Sequence, residues 1–596
     1  MQVADEIDGQ RRATAEDAEE ERRPAARRGQ ERHESSRTDG RADRGGAIMV
    51  TRWRGPGNQA SFDSRSPLAH HLLRSPGDAL DPHPGTTMAR FDPRRWLFDR
   101  DVLSLMGLGL LVKPIGMVTQ ILIARWFGAG EQFDAYRLAF FLVTFGDGTL
   151  SRVFKGAMAP HLIQRLRDLA PRDFARYQNG IVSLFVGTGA LWLALLVLLA
   201  GPLIGVVWPG LPTVTADLTL QMLMVMAVPA LLMVANNLGM AVLQLHQVFR
   251  VAGAMPVLNA LCMLGALIAW HDALGIWALP AGFALSHVLQ WPIIHGRALA
   301  ARILRPVLPD FRRIDLRLVG DLVALMAIAE VLLTINQFMD QWFATGLEAG
   351  SISSLHYAST VTQTVLVLFA TSLVTVMFPR MSQAIARGDM EGCSEDIRSN
   401  LTRTAHLIVP AALMAAVAAP QIVRVLFQYG EFDAADAVRT SGTMTMYVLG
   451  LPALIINSLI ARVFHSLQLL RDKVWLAVQY LATNVALNLV LVGVLAVQGL
   501  ALASTLAINL HLLLSLWILH RRRRGLATGR FARIVAVSYA LGAGSMLVYA
   551  ALPVDAWTAA IGPATFWGAL LVAVMKGAIV GAGYLALYPL ARRLGA

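Results

Sequence analysis

The chain has 596 residues, 55% of them hydrophobic and only 15% charged, with a mean hydropathy of +0.52. A soluble domain carries about 25% charged residues, so this composition excludes an ordinary soluble protein and points to a membrane chain. The formal net charge of +12 does not indicate a nucleic-acid partner, because residues 1–87 hold 14 Arg against 15 Asp and Glu and the whole basic excess, +13, lies in the apolar remainder, where loop arginines set topology.

Residues 1–87 are rich in Arg, Glu, Asp, Gly and Pro and show no apolar periodicity. Such a segment cannot bury enough surface to fold and is expected to be disordered. It lacks the apolar core of a signal peptide. Two readings stand: a regulatory cytoplasmic tail, or an upstream extension of the reading frame with translation starting at Met88, which opens a short basic lead before the first apolar run.

After residue 100, apolar runs of membrane-spanning length recur. The pattern predicts an all-α polytopic membrane protein of about fourteen helices. They fall near 102–124, 135–160, 180–208, 218–243, 252–270, 274–296, 320–345, 354–379, 402–427, 440–467, 475–496, 499–519, 531–552 and 567–590. Alternate connections are short and poor in base, whereas the others carry Arg165, Arg167, Arg172 and Arg176, then Arg297 to Arg317, then Arg521 to Arg533. This asymmetry places both termini in the cytoplasm.

A repeat divides the spans. Trp126-Phe127-Gly128-Ala129-Gly130, Ala135-Tyr136 and Met158-Ala159-Pro160 are echoed by Trp342-Phe343-Ala344-Thr345-Gly346, His356-Tyr357 and Met377-Phe378-Pro379. Pro229-Ala230-Leu231 returns as Pro452-Ala453-Leu454. Two similar bundles in one membrane chain suggest a transporter with its site between the halves. The expected division is an N-terminal lobe over 88–300, a C-terminal lobe over 301–520 and an extra helix pair over 521–596, making two pseudosymmetric six-helix lobes plus two C-terminal helices.

Charges inside the spans are costly and usually face a cavity. Lys113 lies mid-helix beside Pro114; Arg152 and Lys155 share a helix face in the second span, which also holds Asp147. Glu330 and Asp340 fall in the seventh span and Arg462 in the tenth. Lys113, Arg152 and Lys155 suggest a cationic cavity suited to a phosphate or carboxylate, and Asp147, Glu330 and Asp340 are candidates for gating or ion coupling. The plainer alternatives are that Arg152 and Lys155 reach the headgroups, that Asp147 is their counter-ion, and that Asp340 and Lys576 serve packing. Cys262 and Cys393 lie too far apart in sequence to suggest a metal site or disulfide framework. No nucleotide-binding loop is visible, and no cofactor or metal is expected.

Several of these motifs resemble the MurJ/MviN lipid II flippase family. Ile123-Ala124-Arg125-Trp126-Phe127-Gly128-Ala129-Gly130 with Asp134-Ala135-Tyr136 is similar to its first hairpin, and Ile335 to Asp340, Gly350 to Ser353 and Leu373 to Ser382 to its seventh and eighth helices. Phe427 to Asp433, Gly450-Leu451-Pro452 and Ala461-Arg462-Val463-Phe464 are similar to its ninth and tenth. The likeness covers about residues 100–520. It implies the multidrug/oligosaccharidyl-lipid/polysaccharide exporter fold and retains the family's Asp between the first two helices as Asp134. The departures fall on the family's cationic positions. One arginine of its first helix is Lys113, the other is Thr119 followed by Gln120, and the arginine of its eighth helix is Thr360. Lysine neutralises a phosphate without the two-pronged geometry of arginine.

The resemblance implies a flippase in the bacterial cytoplasmic membrane for a polyprenyl-pyrophosphate-linked glycan, either lipid II or an exopolysaccharide repeat unit, with Lys113, Arg152, Lys155, Asp134 and Thr360 as binding positions. Membrane lipids and glycan-assembly enzymes are the expected partners. Two alternatives are an ion-coupled exporter of small cations on the same fold and a non-transporting membrane scaffold. An enzyme is not expected, since no large extramembrane loop exists to hold catalytic carboxylates.

Overall fold

The computed structural model describes residues 100–208, 210–304, 307–364, 390–467, 469–522, 528–559 and 565–593. The expected disordered segment 1–87, Met88, and the end of the eighth span with Met377 to Arg380 lie outside the described residues.

The described elements are helices. The first bundle comprises α1 (Arg100–Phe127), α2 (Glu131–Val153), a short α3 (Ala159–Asp168), α4 (Pro171–Val207), α5 (Thr213–Leu245), α6 (Phe249–Leu274) and α7 (Ala278–Ala300). The second comprises α8 (Leu316–Thr345), α9 (helical at 351–364), α10 (Met390–Val417), α11 (Ala419–Phe427), α12 (Ala434–Ser466) and α13 (Leu470–Arg522), which is broken at Ala496, where φ is +49°. Then follow α14 (Thr528–Ala551), a six-residue α15 (Val554–Ala559) and α16 (Phe566–Arg593).

The two bundles repeat one packing plan. α1 packs on α6, α5 on α2, α4 and α7, while α8 packs on α13 and α12 on α10 and α13. α14 and α16 pack on each other and against α10. Seven described helices or helix pairs are long and apolar enough to cross a membrane, or eight if α10 and α11 cross together. Proline occurs inside many of them, including Pro114, Pro229, Pro256 and Pro452, as membrane helices tolerate when neighbours satisfy the freed carbonyls. The protein is a polytopic all-α membrane protein.

Three local departures from the expected spans have physical causes. The ninth span, expected to run unbroken over 402–427, bends by 67° between α10 and α11. Pro420 at the start of α11 cannot donate to the preceding turn and ends the ladder there. The second span does not continue as one α-helix to 160: a π-helical turn over Phe154–Met158 separates α2 from α3, a wide turn that often marks functional sites. The third span, α4, begins at Pro171, well before residue 180, because Pro at the first turn needs no donor.

At one end of the molecule the two bundles are stapled together. Asp134 at the start of α2 accepts hydrogen bonds from the backbone N–H of Gly350 (2.8 Å) and Ser353 (2.7 Å) and from the Ser353 hydroxyl. Asp436 accepts from the Ala129 N–H at 3.1 Å, Tyr357 donates to the Gly128 carbonyl at 2.9 Å, and the Glu431 N–H donates to the Arg125 carbonyl at 2.9 Å. Gly350 (φ +84°) and Gly430 (φ +63°) lie against the carbonyls of Ala129 and Arg125, and a Cβ on either would collide with them. Beneath these turns Tyr357 stacks on Phe133 (5.2 Å) and meets Phe427 and Phe432 at 5.1 and 5.5 Å. Each such aromatic pair contributes about 0.5–1.5 kcal/mol beyond its burial.

Candidate functional site

Below the stapled turns two cavities open on either side of Arg137. The first, about 420 Å³, lies within the first bundle, and the second, about 480 Å³, faces the second bundle. Arg137, Phe140 and His356 line both. Arg137 stands one turn after Asp134 on α2, so the helix that is clamped at its start also fixes the guanidinium. Its plane lies 5.5 Å from the Phe140 ring. The Nε is buried without a hydrogen-bond partner. Among the described residues, Arg137 is the only Lys, Arg, Asp or Glu lining the first cavity, and Asp340 the only other one in the second. An arginine with an open donor, and with no carboxylate among the described residues lining the first cavity, suits a planar polyanion on that side.

Asp340 is held in place. Its two oxygens accept from Asn488 (3.1 Å) and Ser504 (3.3 Å), and Asn484 ties those partners together through bonds of 2.9 Å to each. The carboxylate therefore belongs to a polar cluster joining α8 to both halves of α13.

The remaining candidates stand elsewhere. Lys113 is half-buried on α1 one turn before Gly116, which lines the first cavity, but Lys113 does not itself line either one. Thr360 is also off both walls; its neighbours Ser359 and Thr362 line the second. Asp134 belongs to the staple described above. Asp147 accepts from Asn237 (2.7 Å) and Ser151 (3.0 Å) inside the first bundle. Arg152 leaves α2 near its end and pairs with Glu330 of α8, with a further bond of 3.1 Å to Thr334. Lys155, in the π-helical turn, is exposed. The structure thus brings Arg152 and Glu330 together and Asp340 into the cavity, and it does not gather Lys113, Arg152 and Lys155 into one cationic pocket.

Arg137 is the residue that sequence reasoning missed. The signal was present: a charge within a span, three residues after Asp134 and so on the same helix face. Cys262 is buried and unpaired.

Comparison with known proteins agrees with this architecture. The profile of the family described as "Lipid II flippase MurJ" matches residues 123–571. The lipid II flippase MurJ of Burkholderia cenocepacia is 25% identical over 449 residues, covering 72% of this chain and 84% of that relative. The probable lipid II flippase MurJ of Rhizobium meliloti is 27% identical over 421 residues, 67% of this chain and 76% of its own. Among solved structures, a lipid II flippase MurJ in an inward closed conformation superposes with a TM-score of 0.67 at 19% identity, covering 83% of this chain and 100% of its own. An inward-facing multidrug resistance MATE transporter of the MOP superfamily gives 0.59 at 13% identity, over 72% of this chain and 99% of its own. These two likenesses concern the fold. With the profile matching well over half of its length, this chain, a multi-pass inner-membrane protein, belongs to the lipid II flippase MurJ family.

Proposed function

We propose that the chain moves a polyprenyl-pyrophosphate-linked glycan across the cytoplasmic membrane by alternating access, without making or breaking a covalent bond. The observation that carries this reading is Arg137, an arginine with a buried open donor, set where the cavities of the two bundles meet. A charge inside a membrane span is costly, and a phosphate group offsets that cost when it arrives. The relatives are named lipid II flippases, which favours lipid II over an exopolysaccharide repeat unit as the cargo.

In this reading Arg137 holds the anionic headgroup and Lys113, on the neighbouring stretch of α1, draws it in. Arg152 and Glu330 form the gate at the cytoplasmic end, and Lys155 beside them adds positive potential. Asp340 is the ion-coupling residue, since its carboxylate opens onto the second cavity while three polar side chains fix it. Asp147 steadies the gate from inside the first bundle, and Thr360 lies one residue from the cavity wall. The arginine-rich loops set both termini in the cytoplasm, which makes the stapled end extracytoplasmic. The lobes span 88–300 and 301–520, with 521–596 appended.

The test is reconstitution. Full-length protein in vesicles carrying lipid II on the inner leaflet only should expose it to an external enzyme faster than empty vesicles. A parallel arm uses a lipid-linked exopolysaccharide repeat unit. Failure with both lipids overturns the flippase reading.

A further inference from the structure

The connection between the two bundles carries exposed apolar side chains that its own packing does not use. One side of it is strapped to α4 of the first bundle. Gln178 donates to the Ile303 carbonyl at 3.4 Å and Asn179 to the Val307 carbonyl at 3.0 Å, while the Asp310 N–H donates to the Arg176 carbonyl at 3.4 Å. Ile314 is buried and closes on Gly180, where a Cβ would meet its Cδ1 at 2.8 Å. The other side faces outward. Leu308 is 87% exposed, Phe311 51% and Leu316 62%, and Arg302, Arg312 and Arg317 stand exposed among them.

The charge of this stretch has one sign. Residues 301–317 hold five arginines against two aspartates, a net +3. Arg302 adopts φ +56° as α7 ends, and the Ile303 N–H closes the turn on the Ala298 carbonyl at 2.9 Å. Glycine usually ends a helix in that conformation, so an arginine there keeps a cation at a conformational cost.

Arginines that only set topology do not call for apolar neighbours. Large apolar side chains scattered singly on a surface are ordinary, but three of them interleaved with three cations on one strapped segment match an interfacial segment. The position selects the membrane over a soluble partner. α7, in a stretch long and apolar enough to cross a membrane, ends at Ala300, and α8 starts at Leu316, so the connection lies where the bundles leave the bilayer. A leaflet with anionic headgroups attracts basic segments at that level.

We propose that residues 301–317 anchor the connection to the membrane surface, with Leu308, Phe311 and Leu316 entering the interface and Arg302, Arg312 and Arg317 bound to anionic phospholipid headgroups. The same segment is strapped to α4 and runs into α8, so the anchor ties the link between the bundles to the leaflet. This holds whatever cargo the cavities take.

The experiment places one nitroxide on the full chain, at Phe311→Cys in a background with Cys262→Ala and Cys393→Ala. Leu308→Cys is the second site if the first variant does not fold. The protein sits in nanodiscs of phosphatidylcholine alone or of an equal mixture with phosphatidylglycerol. Power-saturation EPR compares access of oxygen, which partitions into lipid, with access of a water-soluble nickel chelate. In the mixed discs the label should favour oxygen. In phosphatidylcholine alone the ratio of nickel to oxygen access should rise about twofold or more. Arg302→Gln, Arg312→Gln and Arg317→Gln combined should give the same rise in the mixed discs, as should molar salt, where the screening length falls to about 3 Å. A label that favours nickel in the mixed discs overturns the proposal. So does a depth that lipid charge and salt leave unchanged. Shielding from both reagents in both discs also overturns it, since the segment is then covered by protein, another part of this chain or a second copy.

Discussion

The two ends of the inter-bundle seam are built differently. At the end carrying the α1–α2 turn, Asp134, Asp436 and Tyr357 make five hydrogen bonds across the bundles, four of them to backbone N–H or carbonyl groups, and an aromatic cluster fills the space beneath. Toward the other end, α2 reaches α8 through Arg152, which pairs with Glu330 and bonds Thr334, and the Arg152 side chain is 49% exposed. Backbone partners cannot swing away and buried bonds are not screened, whereas an exposed ion pair contributes only about 0–1 kcal/mol. The stapled end is therefore held more firmly than the Arg152 end. The proposed alternating access needs that imbalance to reverse, and in that proposal cargo at Arg137, just below the staple, would drive the reversal.

Breaking the staple should have the largest effect. Asp134→Ala strips the acceptor from two buried N–H groups, each about 1–3 kcal/mol when left unsatisfied. Thermal denaturation in detergent should show a large fall in stability, and a cysteine pair across 129 and 350 should lose its crosslinking. Unchanged crosslinking would mean that the turns hold together without the carboxylate.

Gly350→Ala should come next. It imposes a side chain on a residue at φ +84° and drives a Cβ into the Ala129 carbonyl. The expected loss is about 1–3 kcal/mol, read as a lower denaturation midpoint; Gly346→Ala, where no close atom obstructs a Cβ, is the control and should be near neutral.

The gate should respond least in stability and most in access. Arg152→Ala should change the denaturation midpoint by at most about 1 kcal/mol yet speed thiol labelling of a cysteine placed at Thr144 on the cavity wall. The charge-swapped pair Arg152→Glu with Glu330→Arg should restore slow labelling. If the swap labels as fast as the single variant, the ion pair is not the closure.

The helical class, the repeat and the break near residue 496 follow from apolar runs and their interruptions, and the structure shows them. The bend at Pro420 could have been read from its proline, but the apolar run through 402–427 masked it. The site was harder. Asp134 was singled out as a binding residue because a resemblance retained it, but its oxygens are occupied by Gly350 and Ser353, partners more than 200 positions away that no local pattern indicates. Arg152 and Lys155 stand three residues apart at the end of α2 and in the π-helical turn, whereas Lys113, of the same charge sign, lies on α1. Arg137 was overlooked because its importance lies in what surrounds it, two cavities and an open Nε, and those exist only once α1, α7 and α9 are packed around α2.

Arg137 is proposed to bind the anionic headgroup of a lipid-linked glycan. The most direct measurement is vesicle translocation of lipid II by wild type, Arg137→Lys and Arg137→Gln at matched protein levels. Arg137→Gln should fall to the empty-vesicle rate while remaining folded, and Arg137→Lys should retain a part, because a point charge replaces the fork. Translocation by Arg137→Gln at the wild-type rate would contradict it.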